Sequence, residues 1–378
     1  MKCAVAKAQI SAFRLTRHHF VDRNQSDLTK VCEDVCGIQS QVMSAAEIAL
    51  WTRTHGHTRA DIHSALWKSR TLVKTSCMRG TLHILSAADF PIYINALKSS
   101  RSRETLRIMA RYGVTQKEAC GVMETVVEAL ADGPMTRRQL TERILSLKIL
   151  GKKAKFWFEQ SWWGVVRQAI VEGLICYAPG RDQQVTLVRV DQWLPKQREV
   201  SELEAKQILL RRYLRAYGPA TLRDFSRWAG ISMKDAKIFG ELQEELLEVR
   251  VEEKKGADKT GWILREDYDE LTNTYLNDHI LRLLPSFDPY MLGHAEKTHL
   301  VDAPYYKRIY RNAGWISPVV LLNGRVVGIW FSKRRGNRLS LGIEPIEKFS
   351  KAIRKKIEEE AASLGEFLGN PLEIRITE

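Results

Sequence analysis

The sequence predicts an α+β protein, mainly α-helical, in which tandem winged-helix units precede a small β-rich C-terminal domain. The first observation is a turn signature that occurs twice, Gly-Pro-Met-Thr-Arg-Arg-Gln-Leu from Gly133 and Gly-Pro-Ala-Thr-Leu-Arg-Asp-Phe from Gly218. A local pattern that recurs in this way is typical of a repeated structural unit. The second observation is that each signature precedes helical segments and then two short apolar runs separated by polar residues. Helix, turn, helix and hairpin is the order of a winged helix.

Each signature predicts the start of a helix. Thr136 and Thr221 are candidate N-caps, with Gln139 and Asp224 three residues further on as the partners that a capping box requires. The apolar runs that predict the two hairpins are residues 174–178 with 185–188, and residues 246–251 with 261–264.

The N-terminal region predicts a third, diverged unit. Residues 8–20 and 26–36 have helical patterns, and Ser26 is a candidate cap for the second of them. A further helix is expected from a capping box at Ser44 and Glu47 to about residue 55.

The same region continues with a capped helix and a hairpin. Thr58 with Asp61 predicts a helix through residue 67, and residues 71–78 and 81–85 predict two strands. Residues 26–86 therefore also have the order of three helices and a hairpin, and residues 87–112 are expected to be helical.

From about residue 280 the pattern becomes that of strands. Residues 317–322, 325–332 and 338–343 alternate or run apolar, and Asn323-Gly324 is a strong hairpin signal because both residues tolerate positive φ. A helix over 347–368 and a strand near 373–376 complete this region. The expected domains are 1–112, with N-terminal helices and the first winged-helix unit; 113–198, with the second; 199–278, with the third; and 279–378, the β-rich domain.

The charge points to a polyanionic partner. The 378 residues include 59 Lys and Arg against 45 Asp and Glu, a formal net charge of +14. A protein that neutralises DNA phosphates needs such an excess, although a basic protein with no nucleic-acid partner has the same composition. No apolar run approaches the roughly 20 residues of a membrane span. The N-terminus lacks the apolar core of a signal peptide, so we expect a cytoplasmic, nucleoid-associated protein that does not interact with membranes.

Several kinds of active site are not expected from the sequence. The six cysteines have no Cys-x-x-Cys spacing, which disfavours a zinc knuckle or a disulfide framework. The neighbouring pairs His18–His19 and His55–His57 have no further ligand at metal-binding spacing. No phosphate-binding loop, serine nucleophile elbow or His-Glu-x-x-His motif is present. We therefore expect neither a metal nor a cofactor.

The unusual element is Gln39-Ser40-Gln41, between two predicted helices. In an extended segment, residues two apart project to the same side, so the two amides can face one point. They precede a helix N-terminus, which attracts anions such as a DNA phosphate. Two glutamines in a helix connection are also common as solvated or capping groups, and the residues alone leave both interpretations open.

A set of short motifs resembles the AlkZ-like DNA glycosylases. In chain order these are Gly37-Ile38-Gln39-Ser40-Gln41, Leu72-Val73-Lys74-Thr75, Met78-Arg79-Gly80-Thr81-Leu82-His83, Tyr217-Gly218-Pro219-Ala220-Thr221, Leu284-Pro285-Ser286-Phe287-Asp288-Pro289-Tyr290-Met291-Leu292-Gly293 and Val319-Val320-Leu321-Leu322-Asn323-Gly324-Arg325-Val326-Val327-Gly328. The resemblance implies three tandem winged helices followed by a β-barrel-like domain. It also implies excision of N-alkylated bases and unhooking of interstrand crosslinks by cleavage of the glycosidic bond.

The family's catalytic signature, Gln-x-Gln, falls on Gln39 and Gln41. The resemblance therefore implies that these two residues are catalytic. Because an amide oxygen can accept a hydrogen bond from a water and position it, we expect Gln41 to hold the attacking water and Gln39 to support the water or the sugar. Ser40 departs from the apolar residue that is usual at the centre of the signature. Asp34 and Glu47 are nearby carboxylates, and the predicted capping box favours a structural role for Glu47.

Further residues are candidates for DNA contact. The family motif places Arg79 and His83 near the glutamines, although both also fit a structural hairpin turn. Lys333, Arg334 and Arg335 form a cationic turn that suits a phosphate or the minor groove, or is simply solvated. Tryptophans that could stack on bases, or lie in the core, are Trp51, Trp67, Trp157, Trp162 and Trp163.

The sequence thus predicts a monofunctional DNA glycosylase that hydrolyses the N-glycosidic bond of bulky or cationic N-alkylated purines, including crosslinked ones, and leaves an abasic site. The expected partner is double-stranded DNA with alkylated or crosslinked bases, and the expected state is a monomer. The alternative is a non-enzymatic winged-helix DNA-binding protein, either a transcription regulator or an inactive paralogue. A regulator usually binds as a dimer, and the sequence shows no heptad stretch that would form one.

Overall fold

A computed structural model describes residues 3–23, 27–161, 164, 166–181, 184–252, 259–335, 338–370 and 372–377. At residues 181, 239, 334, 335, 338 and 372 it describes the backbone only. About half of the chain is helical, and the rest mixes strands with loops.

The α-helices of the described residues are α1 (Lys7–Arg17), α2 (Leu28–Asp34), α3 (Met43–Trp51), α4 (Arg59–Trp67), α5 (Phe90–Arg111), α6 (Gln116–Ala129), α7 (Arg137–Leu145), α8 (Lys152–Gln160), α9 (Arg167–Val171), α10 (Val190–Trp193), α11 (Glu202–Tyr217), α12 (Leu222–Ala229), α13 (Tyr268–Asn273), α14 (Pro289–Leu292), α15 (Tyr306–Ile309) and α16 (Lys351–Leu368). Short 3-10 turns lie at Met78–Gly80, Asp235–Leu242, Arg265–Asp267, Ala303–Tyr305 and Asn312–Gly314. Within the described ranges, no helix is both long enough and apolar enough to span a bilayer.

The strands are β1 (Cys3–Val5), β2 (Ile38–Gln39), β3 (Leu72–Ser76), β4 (Leu82–Ser86), β5 (Met135–Thr136), β6 (Ile175–Arg181), β7 (Gln184–Arg189), β8 (Leu246–Val251), β9 (Lys259–Leu264), β10 (Leu281–Leu284), β11 (Val319–Leu322), β12 (Arg325–Arg335), β13 (Arg338–Pro345) and β14 (Leu372–Ile376). Every predicted hairpin is present, while the strands β1, β2, β5 and β10 were not predicted.

The chain divides into two compact units. The first contains Met1–His63, Leu210–Trp228 and Ala236–Glu378. The second contains Ser64–Leu209 and Ala229–Asp235. The proposed domain boundaries and the winged-helix assignment stay predictions.

The first unit contains a five-stranded sheet in the order β10-β11-β12-β13-β14. Its pairs are antiparallel except for β14, which runs parallel to β13. Successive residues of β11 point to opposite faces, so Val319 packs in one core cluster and Val320 in another, with α16 covering the Val320 side. Both faces are buried, which explains why the strands read as apolar runs.

This sheet corrects the expectation of a β-barrel-like domain. Strand β10 pairs with β11 and strand β14 with β13, but no pairing joins β10 to β14 among the described residues. The sheet is therefore open rather than closed. The predicted hairpin turn is confirmed, since Asn323 and Gly324 both have positive φ, at 49° and 84°.

A second sheet of the first unit joins the chain's beginning to its middle. Strand β1 runs parallel to β8, which pairs antiparallel with β9. Helix α1 lies nearby, and its Ile10 and Phe13 pack in the same core cluster as Val249 and Ile263. The sequence predicted the β8–β9 hairpin but not the strand that extends it.

The second unit has one large core. Helices α5 to α9 and the strands β6 and β7 contribute its buried residues, which include Val126, Leu140, Phe158 and Leu187. Strand β5 pairs with β7, so the predicted β6–β7 hairpin becomes a three-stranded sheet in the order β5-β7-β6. Strands β3 and β4 form the other hairpin of this unit.

The helix caps that the sequence predicts are mostly present. The hydroxyl of Thr136 accepts a hydrogen bond from the backbone amide of Gln139, and the Gln139 side chain accepts one from the Thr136 amide at 2.8 Å. Thr221 with Asp224 does the same, and so does Thr58 with Asp61. These predictions are confirmed.

Two cap predictions in the first unit have a different outcome. Ser26 lies outside the described residues, and the cap of α2 is Asp27, whose carboxylate accepts from the Thr29 amide at 2.8 Å. The capping box at Ser44 and Glu47 is wrong: α3 begins at Met43 after Val42, which provides no side-chain cap. Glu47 instead has partners on α4.

Candidate functional site

The Gln39-Ser40-Gln41 segment belongs to the first unit and connects α2 to α3. Strand β2 ends at Gln39, the chain bends at Gln41, and α3 begins at Met43. The segment therefore lies immediately before a helix N-terminus, as predicted. The expectation that the two amides face one point stays a prediction, since strand β2 ends at Gln39 and a bend follows at Gln41.

A left-handed turn sets the direction in which the chain enters this segment. Cys36 and Gly37 both have positive φ, at 60° and 86°. The Gly37 amide donates to the Cys32 carbonyl at 2.7 Å, which ends α2 and satisfies one of its last carbonyls. The hydroxyl of Tyr217, from α11, donates to the Val35 carbonyl at 2.9 Å. The glutamine segment thus follows a turn that is fixed by hydrogen bonds to α2 and to α11.

The three residues of the segment differ in exposure. Gln39 is 7% exposed and Ser40 is fully buried, whereas Gln41 is exposed to solvent. The Ser40 hydroxyl has no hydrogen-bond partner among the described residues. Ser40 therefore takes the inward position that an apolar residue would fill, and the Gln41 amide is the one that solvent can reach.

Glu47 lies on α3 and is almost completely buried. Its two carboxylate oxygens are engaged separately, by Arg59 Nε at 2.7 Å and by His63 Nε2 at 2.8 Å. A carboxylate that is buried and bonded at both oxygens is poorly placed to accept a proton from water. Glu47 connects α3 to α4 through these two contacts, which is a structural role. It does not act through the predicted capping box.

Asp34, at the end of α2, is also engaged. His19 Nε2 lies 2.9 Å from one of its oxygens, and Lys30 forms an ion pair with the other. Burial by itself would raise the pKa of Asp34, but the hydrogen bonds from His19 and Lys30 outweigh burial and lower that pKa. A lower pKa makes this carboxylate a weaker base.

A buried ion pair anchors the C-terminal end of α3. Arg53 and Asp288 are both 0% exposed, and two guanidinium nitrogens donate to the two carboxylate oxygens at 2.7 Å each. Arg53 also donates to the Ala49 carbonyl and lies over the Phe20 ring, 4.5 Å from its centroid. Asp288 accepts in addition from the Tyr290 amide and so caps α14. The turn that contains Asp288 thus also holds Arg53, which lies just after α3, the helix that comes after the glutamines.

Sequence reasoning missed this pair. The sequence does not show that Arg53 and Asp288 form a pair, because the two residues lie 235 positions apart. The one available signal was Asp288 within an apolar motif, since carboxylates are rarely buried without a partner.

Arg79 and His83 belong to the second unit, where the structure brings them together on the β3–β4 hairpin. Arg79 lies in the turn with a positive φ of 56°, and its guanidinium donates to His83 Nε2 at 3.3 Å. His83 Nδ1 in turn donates to the Thr81 carbonyl at 2.9 Å. Burial, and then the charges of Arg79 and Arg101, lower the pKa of His83 well below its ordinary value.

His83 is therefore neutral at physiological pH, with its proton on Nδ1 and Nε2 free to accept from Arg79. It is 1% exposed, and its ring accepts a hydrogen bond from the guanidinium of Arg79, a residue that is half-buried. Direct DNA contact by Arg79 and His83 stays a prediction.

The cationic turn lies in the first unit, between β12 and β13. The two strands pair as far as Arg335 and Arg338. Lys333 is exposed, and its ammonium lies 5.4 Å from the centroid of the Phe331 ring. The side chains of Arg334 and Arg335, and residues 336–337, lie outside the described part of the chain.

The predicted tryptophans have different environments. Trp51 is buried in the core beside α16, and Trp67 is half-buried. Trp157 is half-buried on α8, whereas Trp162 and Trp163 lie outside the described residues. Across the described ranges, no group of three or more His, Cys, Asp or Glu side chains is arranged to hold a metal ion.

The chain is similar to known proteins over nearly its whole length. A family model described as DNA glycosylase AlkZ-like matches residues 32–367. A curated protein of Streptomyces sahachiroi, named interstrand DNA cross-link repair glycosylase, is 31% identical over 376 residues, which covers 97% of this chain and 98% of that protein. The solved structure of the Streptomyces sahachiroi DNA glycosylase AlkZ has a TM-score of 0.84 and 29% identity, and the likeness covers 100% of both chains.

The family match extends from the end of α2, through the glutamine segment and the Arg53–Asp288 pair, to α16. The resemblance that the short motifs carry is confirmed, and with it the class of enzyme. The chain belongs to the AlkZ-like DNA glycosylase family.

Proposed function

We propose that this protein is a monofunctional DNA glycosylase that hydrolyses the N-glycosidic bond of bulky or cationic N-alkylated purines, in single lesions and in interstrand crosslinks. The observation that carries the proposal is the family match over residues 32–367, which includes Gln39 and Gln41. The relative from Streptomyces sahachiroi is named for crosslink repair, which favours crosslinked DNA among the substrates.

The chemistry requires little from the protein. A purine alkylated at N7 is positively charged and already a good leaving group, so no strong acid is needed. Cleavage builds positive charge on the anomeric carbon of the sugar. A neutral amide oxygen can stabilise that charge and can also accept a hydrogen bond from the attacking water.

The two glutamines fit different parts of this task. Gln41 is exposed at the bend and is the one whose amide can hold a water against the sugar. Gln39 is 7% exposed on a strand that leaves a hydrogen-bonded turn, which suits a fixed support for the water or for the sugar. The N-terminus of α3 begins two residues after Gln41, so its free amides suit a phosphate beside the lesion.

The nearby carboxylates are less suitable than the glutamines. Glu47 is buried with both oxygens occupied, and the pKa of Asp34 is lowered by His19 and Lys30. A general base works best when its pKa lies near the operating pH. We therefore assign the water to the glutamine pair and not to an acidic residue.

DNA contact is assigned to cationic side chains of both units. Arg79 is braced by His83 in the second unit, and Lys333 is exposed in the first. Arg334 and Arg335 continue the same cationic sequence. The protein acts as a monomer on duplex DNA, since one chain carries the complete glutamine segment, and it leaves an abasic site without cutting the strand.

The test is release of free base from a duplex that contains N7-alkylguanine, with a crosslinked duplex measured in parallel. Gln39→Ala and Gln41→Ala should each slow release at least about tenfold, which corresponds to about 1.4 kcal/mol of barrier. Gln243→Ala, at an exposed glutamine elsewhere in the first unit, is the matched control and should keep the wild-type rate. Gln41→Glu keeps an acceptor oxygen at the same position and should retain more activity than Gln41→Ala.

Two outcomes separate the alternatives. If the wild-type protein binds alkylated duplexes tightly but releases no base, the result would indicate a non-enzymatic winged-helix DNA-binding protein or an inactive paralogue. In that case the polar Ser40 in the fully buried central position is the first residue to replace, and Ser40→Val should restore release if a mispacked segment were the reason. Release that persists in both alanine variants would exclude the glutamine pair as the catalytic residues.

A further inference from the structure

An exposed aromatic surface on the second unit is not explained by the proposed glycosylase site. It forms a cleft of about 410 Å³ lined by Tyr112, Lys152, Lys153, Phe156, Trp157 and Gln160. Phe156 is 67% exposed and Tyr112 is 54% exposed. Large aromatic side chains this exposed, and grouped with others, usually indicate a binding surface.

The surface is held in place because α8 packs against the core of the second unit through its opposite face. Ala154 and Phe158, on the opposite face of α8, are almost completely buried in the core of the second unit. Lys153, Phe156 and Gln160 are spaced by three and four residues, so they share the outward face. Tyr112, at the end of α5, stacks on Trp157 with the ring centroids 5.5 Å apart and the planes inclined by 20°.

The rim of this surface is cationic. Lys152 and Lys153 are exposed at the start of α8, and among the described residues neither forms an ion pair. Arg111 is exposed beside Tyr112. The helix itself carries three lysines against one glutamate, Glu159. This charge complements a polyanion and disfavours an apolar protein or lipid surface as the occupant.

The chemistry of the surface favours unpaired bases over a duplex groove. Side chains that read base pairs in a groove are mainly hydrogen-bonding ones, such as arginine, asparagine and glutamine. Flat aromatic rings flanked by lysines are typical of surfaces on which the bases of a single strand stack. Helix α8 follows α6 and α7 and is separated from the β6–β7 hairpin by the short helix α9, and its side that lines the cleft carries the aromatic rings of Phe156 and Trp157.

We propose that Tyr112, Phe156 and Trp157 form a stacking platform for unpaired bases of single-stranded DNA, whose phosphates Lys152 and Lys153 contact. DNA is named as the polyanion because the platform rests on the proposed function, in which a lesion is excised from a duplex. Removal of a base or of a crosslink leaves unpaired nucleotides, and a platform of this kind would hold them.

The test measures affinity for a fluorescein-labelled oligothymidine and for a mixed-sequence duplex by fluorescence anisotropy. Phe156→Ala and Tyr112→Ala should each weaken single-strand binding about fivefold or more, since stacking contributes about 1–3 kcal/mol per base. Affinity for the duplex should change by less than about twofold. Tyr275→Ala, at a tyrosine that is 66% exposed in the first unit, is the matched control and should change neither affinity.

The lysines give a second, independent readout. The double variant Lys152→Gln/Lys153→Gln should reduce the slope of log K against log salt concentration for the single strand by about 1.4, because each neutralised phosphate of a single strand contributes about 0.7. Phe156→Trp should retain single-strand affinity, since it keeps a stacking ring. Phe156, Lys152 and Lys153 are exposed, so the melting temperature of their variants should stay that of the wild type.

Three results would overturn the platform. Single-strand affinity that is immeasurable in the wild type, or unchanged in both alanine variants, would exclude stacking. Equal losses on the single strand and on the duplex would indicate a duplex-binding surface. Self-association that is lost in the variants while DNA affinity stays unchanged would indicate a protein interface. Base release is measured separately, so an inactive wild type would refute the glycosylase proposal without changing the binding result.

Discussion

Replacement of Asp288 by asparagine should destabilise the first unit by about 3–5 kcal/mol, the usual consequence of removing one member of a buried ion pair. The variant leaves the guanidinium of Arg53, which is 0% exposed, without a counter-charge. The carbonyl of Ala49 and the ring of Phe20 remain as partners of that guanidinium, and the asparagine oxygen can still accept one hydrogen bond. These residual contacts place the expected loss toward the lower end of the range.

A matched surface pair provides the control. Arg308 and Glu344 also belong to the first unit and lie 3.0 Å apart, but both are 44% exposed. Glu344→Gln should therefore change stability by no more than about 1 kcal/mol, because water screens an exposed pair. Comparing the stability losses of the two variants separates the effect of burial from the effect of removing any ion pair.

Hydrogen exchange measured by mass spectrometry under native conditions is the suitable assay, since it reports the free energy of opening for each segment separately. Peptides from α3 and from β10 to β13 should exchange faster in Asp288→Asn, and peptides from the core of the second unit should serve as an internal reference. A loss below about 1 kcal/mol in α3, equal to that of Glu344→Gln, would refute the assignment of Arg53–Asp288 as the anchor of this helix.

The remaining predictions concern a buried histidine and a glycine. Burial, and then the charges of Arg53 and His19, lower the pKa of His18 well below its ordinary value, so the neutral ring contributes stability above about pH 6.5 that is lost as the pH falls further. Urea titrations from pH 7 to pH 5 should therefore show a falling midpoint, and His18→Gln should reduce that slope by up to about 1.4 kcal/mol per pH unit; an unchanged slope would contradict a neutral His18. Gly230→Ala should destabilise the second unit by about 1–3 kcal/mol more than Gly56→Ala destabilises the first unit. The reason is that a Cβ at Gly230 would lie 2.6 Å from the Arg79 Cα, whereas a Cβ at Gly56 would meet nothing within 4 Å. Both glycines have positive φ, so backbone strain is matched, and equal hydrogen-exchange losses would show that the contact with Arg79 is not tight.

The features that the sequence predicted correctly are local ones. The caps at Thr58, Thr136 and Thr221 depend on a partner three residues away, so the sequence contains the whole interaction. The turn at Asn323-Gly324 is likewise determined by two adjacent residues. Hairpins between neighbouring apolar runs are predictable for the same reason.

The features that the sequence missed depend on distant partners. Ser44 and Glu47 have the spacing of a capping box, but Glu47 instead pairs with Arg59 and His63 on the next helix. Local propensity is a weak preference, and a buried carboxylate with two strong partners outweighs it. The predicted barrel fails similarly, since closure depends on whether the first and last strands meet, and the composition of each strand does not decide that.

For the candidate site, the sequence by itself determined which residues are present and where the chain turns. It placed Gln39 and Gln41 before a helix and identified the motif that carries the family resemblance. Only the tertiary structure decided that Gln39 is buried while Gln41 is exposed, that Asp34 and Glu47 are occupied, and that Arg53 is held by Asp288. The physical reason is that burial and ion pairing are properties of groups brought together from distant positions, whereas caps and turns depend on residues a few positions apart.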